Sequence, residues 1–219
     1  MKYLRNEKGN TMIFMLGMMS IMVLMFLLIG NLASVFASKE KASNIAQQAS
    51  LVASSILREE IEDAIDEYER FVQSQEILVY PSLRDMINNR MNSMNSVLSE
   101  KEKRRQVTND VLKAQIPVNP VLLEYIESAV IKAGSIIPSQ VASNIRSNSG
   151  KVEGTEISIS SDHRLQVTTH VRYQALKYDN YLSEKDRKVM QTGEGPEFDF
   201  LSVLWNKNLL FYKFPEQTD

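Results

Sequence analysis

The sequence contains no cysteine, so it forms no disulfide and offers no thiolate to zinc. Glycine and proline are scarce, with eight and six among 219 residues, which argues against a loop-rich or all-β design and for long helices. An excess of one charge is also missing. Lys and Arg number 25 against 27 Asp and Glu, and a net charge of -2 is far from the basic surplus of nucleic-acid binders. Histidine occurs only twice. No nucleophile elbow, zinc-binding H-E-x-x-H helix or phosphate-cradling glycine loop is found. Catalytic residues, metal ligands and a cofactor are therefore not expected, and neither is a nucleic-acid partner.

What is present begins with a membrane signature. Met12 to Ile29 is an apolar run interrupted only by Gly17 and Ser20, and no charge follows until Lys39-Glu40-Lys41. About 20 helical residues cross the roughly 30 Å hydrocarbon core of a bilayer. A transmembrane helix is expected over 12–37, behind a stub of residues 1–11. Lys2, Arg5 and Lys8 precede the run, offset only by Glu7, and retention of positive charge inside predicts a cytoplasmic N-terminus and an extracytoplasmic bulk. Val35-Phe36-Ala37 offers the small residues of a signal-cleavage site. The apolar run, however, exceeds the roughly 7–15 residues of a cleaved signal, which favours a permanent anchor.

Beyond the membrane the pattern stays helical. No Gly or Pro lies between Asn31 and Val79, and Ile45, Ala49, Val52, Ile56, Ile61, Ile65, Tyr68 and Val72 recur mostly three or four apart. One helix should leave the membrane and end before Pro81. Along it Gly30, Ser34, Ser38, Ala42, Ala46, Ser50 and Ser54 form a row of small residues at every fourth position, the kind of ridge that lets a second helix approach closely. A second helical stretch starts at Ser82, with Leu83, Met86, Ile87, Met91, Met94, Val97 and Leu98 as its stripe, and closes at Pro117 and Pro120. A third is expected from Val121 to about Ile145, with Leu122, Leu123, Ile126, Val130, Ile131 and Ala133 on its apolar side and a kink or break at Pro138.

After Asn148-Ser149-Gly150 the period changes to two. Thr155–Ser160 and Leu165–Tyr173 alternate around Ser161-Asp162-His163, which predicts a hairpin. The aromatic-rich tail from Glu197 to Phe214, including Trp205 and Tyr212, should cover that sheet.

Three charged groupings bear on chemistry. Glu59, Glu60, Glu62, Asp63, Asp66, Glu67 and Glu69 crowd successive turns, and Glu59, Asp63 and Asp66 share a face. Calcium favours a loop that wraps six or more oxygens around it, so a solvated helix face is the better reading. His163 falls in the turn, and His170 on the strand face opposite Val167, Thr169 and Val171. Lys101, Lys103, Arg104 and Arg105 make a basic knot, interleaved with Glu100 and Glu102 and lacking aromatics to stack on bases.

The N-terminal arrangement resembles the tight-adherence (Flp) pilus-assembly proteins of the TadE/TadG type. The resemblance is carried by Asn6-Glu7-Lys8-Gly9-Asn10, the apolar run Met12–Ile29, and the Ala/Ser/Gln-rich continuation Ser43 to Ala53. It implies a bacterial cell-membrane protein with a processing site between Gly9 and Asn10, and partners among pilus or secretion-assembly proteins, a second copy included. The departure is at Asn10 through Phe14, which carry no acid where many members hold a neighbour-recruiting Glu.

The expectation is an α+β protein: a single N-terminal transmembrane helix continuing into a long exposed helix, a helical layer, then a small antiparallel sheet. Residues 38–150 form the extracytoplasmic helical region and 151–219 the β-containing region. The expected function is that of a non-enzymatic, pilin-like component of a cell-surface assembly. The alternative is a tethered ligand-binding or sensor module.

Overall fold

A computed structural model describes residues 7–74, 80–94, 97–173, 187–204 and 210–216, with side chains from Thr11 onward. The first helix, α1, runs from Glu7 to Ser74 without interruption, 68 residues or about 100 Å. From Thr11 to Glu40 its residues are exposed or at most half-buried. From Ala42 onward one side is buried by the rest of the protein, centred on Ala46, Ala49, Ala53, Leu57, Ile61, Ile65 and Tyr68. Val52 and Ile56 lie at the half-buried margin of that stripe rather than in it.

The stretch after Pro81 is two helices, not one: α2, Leu83–Ser93, and α3, Glu100–Gln115. The cause is a second start signal. Ser99 caps α3 by accepting from the Glu102 backbone N–H, while the Glu102 side chain accepts from the Ser99 backbone, a reciprocal capping box. Val97 and Leu98, expected in the apolar stripe, are consequently exposed in the connection. A short 3₁₀ turn over Ile116–Val118 leads to α4, Pro120–Ser147, which lies along α1. Asn119 caps α4 and donates from Nδ2 to the Tyr68 hydroxyl at 2.7 Å, tying α4 to α1 in the core.

Helix α4 also corrects the expected interruption at Pro138 and part of the expected apolar face. It passes through Pro138 unbroken, with Gly134 one turn earlier as the residue whose carbonyl the proline ring crowds. Leu123 is only half-buried and Ile131 is 55% exposed, because the helix turns Ala129, Ile137, Val141 and Ile145 inward instead.

The expected hairpin is present as β1, Lys151–Ile159, and β2, Arg164–Arg172, joined by a turn in which His163 takes a left-handed φ of 57°. Two strands were not anticipated. The strand β3, Lys188–Glu197, pairs antiparallel with β2, and β4, Tyr212–Lys213, pairs with β1, giving the order β3-β2-β1-β4. The inner face of the sheet packs on α1 and α4 through Ile157, Leu165, Val167 and Val171, with Thr155 and Thr169 hydrogen-bonded to each other in its interior.

The tail divides its work. Residues Asp199–Val203 form a 3₁₀ turn against α3, burying Phe198, Phe200 and Leu201 there rather than over the sheet, before the chain returns as β4. Trp205, also expected to cover the sheet, lies outside the described residues. The architecture is α+β, as the change of period predicts.

Candidate functional site

The apolar run expected to cross the membrane is one uninterrupted helical surface in α1. It is the one candidate span among the described residues, and none of its most apolar window is buried. Phe26 and Leu28 are 69% and 70% exposed, an arrangement water does not tolerate over so many consecutive turns. The side of a helix that stays bare in the isolated chain is the side that lipid or a partner covers.

The small-residue row on α1 is split by the fold. Ala42, Ala46, Ser50 and Ser54 are buried inside the head, while Gly30, Ser34 and Ser38 stay part-exposed on the segment before it. The buried half receives an edge strand instead of a helix. A side chain at Gly193 would collide with the Ala46 backbone, and one at Gly195 with the Ser54 hydroxyl, so β3 reaches α1 only because both positions lack a Cβ. Ser54 Oγ donates to the Ser50 carbonyl at 2.8 Å, which satisfies the hydroxyl within the helix. Gln47 completes the contact. Its Nε2 donates to the Glu194 carbonyl at 2.9 Å, and its Oε1 accepts from the Glu194 backbone N–H at 3.4 Å, so one amide side chain caps the free edge of β3.

Gly9 and Asn10, the expected processing residues, lie in the first turn of α1. The acidic stretch is dispersed by the fold. Glu60 is paired with Lys132 at 2.7 Å, Asp66 with Arg84, and Glu69 accepts from the Arg84 backbone N–H and Ser82, leaving Glu59, Asp63 and Glu67 exposed. Among the described residues no group of three or more His, Asp or Glu is placed to hold a metal ion. His163 is half-buried in its turn. His170 does lie on the face away from Val167, Thr169 and Val171, but it is 6% exposed rather than solvated. Burial, reinforced by Lys188, pushes its pKa below the ordinary histidine value.

One arrangement was not foreseen. Two members of the basic knot, Lys101 and Arg105 of α3, meet Arg58 of α1 and Arg164 of β2 around an open groove of about 400 Å³ that Leu51 and Gly195 also line. Glu102 and Glu194 also line it, so cations exceed anions. Arg164 is paired with Glu197 at 3.2 Å and donates to the Gly195 carbonyl. Among the described residues Arg58 has no such partner for its buried Nε. No spacing in the sequence brings 58, 101, 105 and 164 together, since they belong to three separate elements.

Comparison with known proteins bears on the helix and not on the groove. Residues 9–55 match the family model described as putative Flp pilus-assembly TadE/G-like. The TadE/G-like segment begins at Gly9, takes in the whole apolar run and ends one turn past Leu51, where α1 is already inside the head. Both halves of the small-residue row fall within it. No curated protein and no solved structure matches the chain. The TadE/G-like match and the apolar helix together support a membrane-anchored pilus-assembly component.

Proposed function

We propose that the protein is a non-enzymatic, pilin-like component of a cell-surface pilus or related secretion assembly. It is held in a bacterial membrane by residues 12–37 with the N-terminus cytoplasmic and the head outside. The observation that carries this reading is the undivided α1, a lipid-grade apolar surface at one end and the spine of the folded head at the other. The TadE/G-like match over that helix supports the assembly role. Gly30, Ser34 and Ser38 are the part of the small-residue row left for other helices, in the membrane or in an assembled core. Gly9 and Asn10 flank the bond a prepilin-type peptidase would cut.

The deciding experiment is mass-spectrometric mapping of the mature N-terminus in membrane and sheared-surface fractions. A terminus at Asn10 in sheared material is the result expected of a processed assembly subunit. An intact Met1 confined to membranes would exclude the shaft-subunit role and leave a fixed anchor.

A further inference from the structure

The groove between α1, α3 and β3 carries more positive charge than the described residues satisfy. Among the described residues, Arg58 Nε is buried without a hydrogen-bond partner, and so is Thr108 Oγ1 in the small cavity that continues the groove past Arg105. Desolvation and the like charge of Arg105 both depress the Arg58 pKa, with Glu62 opposing them. The two lining carboxylates are engaged elsewhere. Glu102 closes the α3 cap with Ser99 at 2.7 Å, and Glu194 accepts from Gln166 Nε2 at 2.6 Å. Facing guanidiniums of this kind are stabilised by an anion whose oxygens accept charge-assisted hydrogen bonds from both.

Lipid headgroups are out of reach. The uncharged part of α1 ends at Ser38, and Arg58 lies 20 residues further along, about 30 Å at 1.5 Å per residue. The headgroup layer adds only about 5–8 Å beyond the hydrocarbon core. Carboxylates at the right height exist on the chain itself. Glu59, Asp63 and Glu67 form an exposed acidic strip on α1. Five residues separate Asp63 from Arg58, about 8 Å along the axis, and the strip centres about 140° around the helix from the groove.

We propose that the groove receives the acidic strip of a second copy of this chain, with Asp63 entering between Arg58 and Arg105. Each copy then offers a groove on one flank of α1 and a strip on the other. Copies anchored in one membrane with the same orientation hold their helices parallel, so strip and groove meet with a small axial stagger. Such a contact is heterologous. It does not close on itself by a two-fold axis and adds copies in series. The inference rests on the membrane-anchored reading above and not on N-terminal processing.

The absence of native cysteine makes the test free of background. Full-length E67C and K101C variants, co-reconstituted in phosphatidylcholine vesicles and oxidised with copper phenanthroline, should form a disulfide-linked pair in the mixture and in neither variant alone. Adding R105E to the K101C copy should lower the yield at least about tenfold, because like charges then face each other. Adding D63R to the E67C copy should restore it. Urea denaturation midpoints of each variant report that the head remains folded. Self-linking of K101C alone, a yield indifferent to R105E in folded protein, or failure of D63R to rescue would each overturn the proposal. An unprocessed N-terminus leaves the cross-link unaffected, so the two readings fail separately.

Discussion

Ala46 and Gly193 meet with no space for a methyl group between helix and strand. Gly193→Ala should therefore push β3 off α1 and cost about 1–3 kcal/mol, the usual range for overpacking, read as a lower urea midpoint of the detergent-solubilised chain. Asn119 does two jobs, capping α4 and holding the buried Tyr68 hydroxyl. Asn119→Ala should cost about 1–2 kcal/mol by the same measurement, the upper part of the range for a lost cap. His170 gives a pH prediction. Its pKa is depressed in the fold, so its contribution to stability is fully present above the ordinary value of 6.5 and declines as pH falls below that toward the native value. The groups facing it are Lys188, Glu153, Glu216 and Lys151. Denaturation midpoints measured at pH 7.5 and 5.5 should differ less in His170→Gln than in the parent chain. Alternation placed His170 on the outward face of its strand but says nothing of its burial, since sequence spacing does not show what lies over an outward face.

Among the elements, α1 was the most legible and β3 the least. Helical period, absence of Gly and Pro, and an uncharged apolar run all agree over α1, and agreement of local with global preference is what makes a segment readable. The strand β3 reads Lys-Val-Met-Gln-Thr-Gly-Glu-Gly-Pro-Glu, which has poor strand propensity. Its glycines are set by the α1 surface it must approach, a tertiary demand invisible in its own sequence. The break between α2 and α3 was legible in retrospect, because Ser99 and Glu102 stand at capping-box spacing, but the apolar stripe across Val97 and Leu98 masked it. Pro138 sits in a helix that does not stop for it, held by α1 and the sheet on its inner side. Pro138→Ala restores a backbone donor to the Gly134 carbonyl and should raise the urea midpoint, by about 1–3 kcal/mol in stability.

For the whole molecule, the anchor and the order of helices before strands followed from the chain's own periodicities, whereas the basic groove did not. Arg58, Arg105 and Arg164 look like solvated charges when taken one at a time, and only the folding of α3 and β2 onto α1 assembles them. The continuity of α1 has a mechanical consequence. With no glycine or proline between the bilayer and Ala42, the membrane segment and the head share one rotational phase, as two cams on a single rod do. One alanine inserted after Ser38 would turn the head by about 100° relative to the anchor, while seven would return it to within about 20° of its starting azimuth and lift it about 10 Å. If anchors and heads engage neighbours at the same time, the E67C–K101C cross-link should be lost with the single insertion and recovered with seven, a comparison that measures angular timing rather than affinity.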